Sequence, residues 1–249
     1  MTRVAVAGGT GLVGRLVVER LRASGHEPVV LARGHGVDVT TGAGLDGALS
    51  GVSAVIDVTN VTTNSRKKAV SFFGRATRTL LAAEERAGVR HHVVLSIVGC
   101  DRVAFGYYEG KQRQEQLALT GPVPASVLRA TQFHEFPGQL IDRTPRPFAL
   151  APRMRSQPVA AAEVAGELVR LAIGDALGLA PEFAGPEVHE MPALVRRVLR
   201  ARGSRRLAVP LRLPGAAGRA MAGGDLLPAT DGPRGRQTFE EWLRATYGR

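Results

Sequence analysis

The chain has 249 residues, 44% of them hydrophobic and 22% charged, with 30 glycines, 15 prolines and a net charge of +11. That suffices for one sizeable core and excludes a wholly disordered or collagen-like polymer. A single cysteine, Cys100, excludes an intrachain disulfide framework, and no apolar run reaches the roughly 20 residues of a membrane span.

Met1-Thr2-Arg3 leads directly into an apolar segment, without the h-region and cleavage site of a secretory signal, so a soluble cytoplasmic protein is expected. A buried strand is predicted over 3–7. It is followed at once by Gly8-Gly9-Thr10-Gly11-Leu12-Val13-Gly14, which opens a helix over 12–24. The spacing reads as G-x-G-x-x-G from Gly9. At a first strand–helix turn, such glycines permit a tight bend, close approach of a pyrophosphate at Gly11, and close helix–sheet packing at Gly14. A glycine loop of this kind points to a bound dinucleotide.

A second strand is predicted over 28–32, ending on Arg33. Sites for NAD usually place an acid there for the ribose 2′-hydroxyl. No acid stands between Glu27 and Asp38, and a guanidinium can bind a 2′-phosphate, so NADP is favoured, with NAD possible. Only Gly34-His35-Gly36-Val37 precedes Asp38, too short for the crossover to another parallel strand. The usual helix is therefore expected to be missing. Asp38-Val39 is read as a loop or vestigial strand, and 43–49 as the helix leading to a strand over 54–58.

A long helix over 66–87, a strand over 92–97, a helix over 108–119 and a strand over 125–129 continue the alternation. Gly25 and Gly88 stand where left-handed helix caps want glycine. The βαβ rhythm predicts an α/β fold, a Rossmann-type doubly wound parallel sheet, over 1–135. Ser96 falls at a strand end, where ligands sit in such sheets. Tyr107 and Lys111 form Y-x-x-x-K at a helix start and share one helix face. A cation beside a phenol stabilises phenolate and makes the tyrosine a better proton donor or acceptor. Tyr108 is the competing phenol, about 100° further round the helix.

Beyond Phe133 the pattern loosens into a C-terminal substrate lobe, 136–249, integrated with the core. Helices are predicted over 162–173, 191–202 and 238–246, the last with a Thr238/Glu241 capping box and Phe239 and Trp242 as anchors. A strand is possible over 206–209. Seven arginines from Arg196 to Arg212 form the sharpest basic run, with no acid from Pro192 to Gly224. No nucleic-acid-binding motif accompanies it, so a solvated face is expected rather than a nucleic-acid site. The histidines show no metal-ligand spacing, and no metal is expected. Cys100 reads as a buried thiol, and His134 and Glu135 either line a pocket or are ordinary loop residues.

The glycine loop, Val93-Val94-Leu95-Ser96-Ile97-Val98-Gly99, Tyr107-Tyr108-Glu109-Gly110-Lys111 and Ser126-Val127-Leu128-Arg129-Ala130-Thr131-Gln132-Phe133 together resemble the NmrA-like, atypical short-chain dehydrogenase/reductases. The likeness covers residues 3–135 and continues weakly through Gln157-Pro158-Val159 and Gly185-Pro186-Glu187. It implies a Rossmann fold, a bound NAD(P) and substrate contacts from the C-terminal lobe. It also implies that Ser96 orients a carbonyl, Tyr107 transfers a proton and Lys111 holds the nicotinamide ribose. Asp38-Val39 would touch adenine, and Thr59-Asn60 would flank the cofactor ribose. The leading expectation is an NADPH-dependent oxidoreductase acting on a small carbonyl or conjugated substrate, with no membrane partner. Two alternatives stay open: a non-catalytic dinucleotide sensor that binds a protein partner, and an isomerase or epimerase. Nothing in the sequence specifies the oligomeric state.

Overall fold

The structure, a computed structural model, describes residues 1–248. In chain order the elements are β1 (Arg3–Ala7), α1 (Leu12–Ala23), β2 (Glu27–Leu31), α2 (Leu45–Ala48), β3 (Ala54–Asp57), α3 (Arg66–Ala87), β4 (His91–Ile97), α4 (Gly106–Leu119) and β5 (Ala125–Ala130). There follow α5 (Phe136–Arg143), β6 (Phe148–Pro152), β7 (Arg155–Ser156), α6 (Ala161–Ile173), β8 (Gly178–Leu179), β9 (His189–Glu190), α7 (Met191–Ala201), β10 (Leu207–Leu211), α8 (Gly215–Gly223) and α9 (Phe239–Tyr247).

The chain divides into two compact units whose segments alternate along the sequence. The first comprises Met1–Ile97, Phe105–Arg129 and Ala161–Pro181; the second comprises Val98–Ala104, Ala130–Ala160 and Glu182–Arg249.

The first unit is built on a parallel sheet of six strands in the order β2-β1-β3-β4-β5-β8. Its central strands are short runs of Val, Ala and Ile that are buried on both faces, as a sheet covered by helices on both sides requires. Pro28 lacks the N–H of an inner ladder, and β2 is accordingly an edge strand. The chain passes from β2 through a 3₁₀ turn and the four-residue α2 to β3, on the far side of β1, so no extra strand intervenes. Of the two readings of Asp38-Val39, loop or vestigial strand, the structure shows the loop, running into a turn. Helices α1 and α6 pack together against the sheet, and α3 packs with α2 and α4. Both predicted left-handed glycines occur, Gly25 at φ +75° and Gly88 at φ +70°. A buried two-pronged ion pair from Arg129 to Glu115, at 3.0 and 2.7 Å, ties β5 to α4.

The second unit holds two small ribbons, parallel β6–β10 and antiparallel β7–β9. The capping box of α9 forms as predicted: Thr238 Oγ1 accepts from the Glu241 amide and the Glu241 carboxylate accepts from the Thr238 amide. Phe239 and Trp242 are buried and face the His134 ring at 5.6 and 5.7 Å between centroids.

Candidate functional site

Gly8 leaves β1 at φ +79°, a conformation that favours glycine. Its amide donates to Leu31 O at 3.1 Å, and the Gly11 amide donates back to Gly8 O at 2.9 Å, closing the turn. A Cβ on Gly14 would stand 2.2 Å from Gly8 O and 2.6 Å from Gly9 Cα, so α1 touches the turn with no room for a side chain. A Cβ on Gly8 would meet Val58 O at 3.0 Å and Thr59 Cα at 3.2 Å, which seats the turn against the end of β3. On Gly11 it would meet only Gly8 O, at 3.3 Å, because that side is open. Helix α1 begins without a side-chain cap and without an acid in its first turn. The amides of Leu12, Val13 and Gly14 therefore lack intrahelical acceptors, and the positive end of the helix dipole is uncompensated.

Of the predicted flanking residues, Thr59 packs against this turn. Thr59 is buried, and its Oγ1 has no hydrogen-bond partner among the described residues. Arg33 is exposed at the start of the 3₁₀ turn that follows β2. Asp38 Oδ1 accepts from Thr40 Oγ1 at 2.7 Å and from the Thr40 amide at 2.8 Å. Those bonds, with a smaller contribution from Arg33, hold the Asp38 carboxyl below the usual carboxylate range against a weak opposing effect of burial. Val39 packs partly buried on the cluster that includes Leu31, Val37 and Leu45.

Helix α4 starts two residues earlier than expected from 108–119, so Tyr107 and Tyr108 both lie in its first turn. The Tyr107 hydroxyl donates to Asn60 Oδ1 at 2.8 Å, and its ring meets Phe73 edge-on at 5.7 Å. Tyr108 instead packs edge-on with Phe105 at 5.4 Å. Lys111 is 4% exposed. Its ammonium donates to Leu95 O at 2.6 Å and to Gln114 Oε1, and lies 4.7 Å from the Phe73 ring centre. Ser96, the residue after Leu95, is buried in β4.

Two residues that the motif search missed complete this cluster. Gln114 Nε2 donates to Asp57 Oδ2 at 2.7 Å, and Asp57 Oδ1 accepts from the Thr59 amide at 2.9 Å. Both side chains are fully buried. The legible signal was a lone acid inside an apolar strand run, Ala54-Val55-Ile56-Asp57. Behind it, His92 Nδ1 meets Glu84 Oε1 at 2.8 Å with both side chains at 0% exposure. Burial alone pushes His92 down, but the charge and hydrogen bond of Glu84, with Asp57 adding, hold the imidazole above its usual value.

In the second unit His134 is buried with its Nε2 3.1 Å from Gln237 O, and burial pushes the Glu135 carboxyl up. Gln157 Nε2 donates to Gly185 O at 2.6 Å, joining two of the segments that carried the resemblance. Cys100 is fully buried. A hollow of about 590 Å³ is lined by Asp142, Arg146, Arg202, Arg205 and Arg206 and holds none of the predicted site residues. Among the described residues no group of three His, Cys, Asp or Glu could hold a metal, and no helix is long and apolar enough to cross a membrane.

Residues 4–126 match the NAD dependent epimerase/dehydratase family. No curated protein gives a significant match. Among solved structures, an NAD-dependent NDP-hexosamine 5,6-dehydratase of tunicamycin biosynthesis superposes with a TM-score of 0.74 at 19% identity, covering 99% of this chain and 97% of that one. A short-chain dehydrogenase/reductase superfamily protein from Agrobacterium tumefaciens with bound NAD gives 0.70 at 18% identity, covering 98% and 96%. The fold that this chain shares with them is a Rossmann-type α/β fold. An NADPH-dependent quinone oxidoreductase from Escherichia coli, in complex with NADPH, shares this fold at a TM-score of 0.71 and 16% identity, covering 98% and 99%.

A dinucleotide is the group that this fold implies, and the residues present fit one. The turn at Gly8 and Gly14 has no space for Cβ atoms, Gly11 faces open space, and a buried Thr59 hydroxyl beside the turn lacks a partner.

Proposed function

We propose that the chain binds a nicotinamide dinucleotide at the glycine turn, NADP in preference to NAD, and reduces a small carbonyl or conjugated substrate. The junction of turn, strand end and phenol carries this reading. Gly8 packs on Thr59, and the Tyr107 hydroxyl is hydrogen-bonded to Asn60, the next residue. Arg33, with no acid beside it at the end of β2, supports the 2′-phosphate preference.

The reduced nicotinamide, when bound, supplies a hydride to the substrate carbon. Tyr107 gives its hydroxyl proton to the substrate oxygen, which must replace Asn60 as the acceptor. Lys111, four residues on, stabilises the phenolate that remains, and Ser96 orients the carbonyl. Arg33, the amides of Leu12 to Gly14 and the Thr59–Asn60 segment hold the dinucleotide. Asp38 and Val39 would border its adenine.

The match of residues 4–126 to an epimerase/dehydratase family supports a second reading, an isomerase that uses the nicotinamide transiently. The test is an NADPH-oxidation panel of aldehydes, ketones and quinones, run with wild type and Tyr107→Phe. Turnover should fall by about 10²–10⁴ in the variant, with nucleotide affinity nearly unchanged. Tyr108→Phe is the control, since loss of activity there instead reassigns the proton donor. Tight NADPH binding with no turnover in the wild type would replace the reductase by a dinucleotide sensor. Conversion of a nucleotide sugar without net NADPH oxidation would establish the isomerase.

A further inference from the structure

Polar groups between β3 and α4 form one circuit, buried at Lys111, Gln114, Asp57 and Thr59 and reaching the surface at Asn60 and Tyr107. The Lys111 ammonium donates to Gln114 Oε1; Gln114 Nε2 donates to Asp57 Oδ2 at 2.7 Å; Asp57 Oδ1 accepts the Thr59 amide at 2.9 Å. Asn60, next in the chain, accepts the Tyr107 hydroxyl at 2.8 Å, and Tyr107 returns to Lys111 through one turn of α4. Asp57 and Gln114 are both 0% exposed. The only ionisable groups in the circuit are the Lys111 ammonium, the Asp57 carboxylate and the Tyr107 phenol. From the neighbouring β4, His92, itself paired with Glu84 of α3, lies within electrostatic reach of Asp57.

The circuit has one polarity. An ammonium only donates and a carboxylate only accepts, so the Gln114 amide must turn its oxygen to Lys111 and its nitrogen to Asp57. A buried charge without a hydrogen-bonded partner is costly, and here each charge reaches its opposite through a single amide. The geometry points to Asp57 and Gln114 as positioning residues for the Tyr107–Lys111 pair: Asp57 is the counter-charge of Lys111, delivered through Gln114, and the same carboxylate pins the Thr59–Asn60 turn that holds the phenol. This rests on the reading of Tyr107 and Lys111 as the acid–base pair. It assigns that pair a fixed electrostatic setting before any ligand arrives.

The one-way polarity makes a sharp test. In Asp57→Asn, the new amide nitrogen faces a donor whichever way it turns, the Gln114 nitrogen or the Thr59 amide, and turning Gln114 over merely moves the donor–donor clash to Lys111. In Gln114→Glu, two carboxylates face each other. The double variant Asp57→Asn/Gln114→Glu moves the carboxylate one step along the chain, preserving volume, net charge and every donor–acceptor match. The full-length protein, free of nucleotide, is labelled with ¹⁵N-lysine and ¹³Cζ-tyrosine; it has three residues of each type.

Each single variant should speed hydrogen exchange of the Lys111 ammonium by at least about tenfold. The double variant should return it to within about threefold of wild type. The Tyr107 ionisation constant should rise in Asp57→Asn, which removes a negative charge, and fall in Gln114→Glu, which adds one, by about threefold or more each way. Exchange in the double variant as fast as in the singles overturns the proposal. So does a Tyr107 titration unmoved in both folded singles, the result of a merely structural role. Should the singles fail to fold, a folded double with wild-type Lys111 and Tyr107 signals supports the circuit, and an unfolded double refutes it. NADPH titration of wild type is read separately: absence of binding removes the dinucleotide reading and leaves these signals to judge the circuit.

Discussion

Gly14→Ala tests the contact that seats helix α1 on the glycine turn. The added Cβ would stand 2.2 Å from Gly8 O and 2.6 Å from Gly9 Cα, where separations under 3.0 Å are essentially never found. Both obstructing atoms are backbone, so no side chain can rotate away, and turn and helix must part by roughly 0.8 Å or more. Overpacking of this kind costs about 1–3 kcal/mol, and a rigid backbone obstacle places it at the upper end. For a chain of this size the melting temperature should fall by about 4–10 °C. A turn displaced by nearly an ångström should also weaken NADPH binding by one to two orders of magnitude. Gly11→Ala is the internal control. Its Cβ would meet only Gly8 O at 3.3 Å, so its cost to the fold is at most the roughly 1 kcal/mol of a poorer N-cap, while its methyl enters the open face of the turn. Thermal unfolding followed by circular dichroism and calorimetric NADPH titration read both effects. A Gly14→Ala protein with wild-type melting and affinity, or a Gly11→Ala protein destabilised as much, refutes this account of the turn.

Arg33→Ala should cost NADPH about 1.5–3 kcal/mol, a loss of roughly ten- to a hundredfold, and leave NADH nearly untouched; equal losses in calorimetry would remove the guanidinium from the 2′-phosphate. Glu84→Gln should destabilise the fold most at mildly acid pH. Glu84 raises the folded value of His92, so the stability from charging His92 is full below its unfolded value of about 6.5 and is lost as pH rises through the higher folded value. Breaking such a buried pair costs about 3–5 kcal/mol, and the gap in melting temperature between variant and wild type should narrow above that range. A gap that is constant from pH 5 to pH 9 would show that the pair carries no linked proton.

Much of the first unit was legible because its signals are local. Runs such as Val4-Ala5-Val6-Ala7 are buried on both sides and need no partner to be recognised, and the Gly8–Gly14 spacing encodes a turn through backbone sterics alone. The short stretch from Arg33 to Asp38 is likewise a matter of chain length, which is why the absence of a full crossover helix directly after β2 could be read without coordinates. The Thr238–Glu241 box closes within one helical turn, and it too was readable. The two-residue β7, β8 and β9, the return of Ala161–Pro181 to the first unit, and α5 and α8 were not, because short elements in Pro- and Gly-rich sequence take their form from what they pack against. The same holds for the candidate site. Tyr107 and Lys111 declare themselves by a four-residue spacing on one helix. The partners of that lysine do not: Asp57 lies 57 residues from Gln114, and only the pairing of β3 with β4 and the packing of α3 with α4 bring a strand-end carboxylate and a helix-borne amide within 2.7 Å. Sequence by itself determines which groups can donate, accept or bend the chain. Which of them are buried together, and so must satisfy one another's charge and hydrogen bonds out of reach of water, is decided by tertiary packing alone.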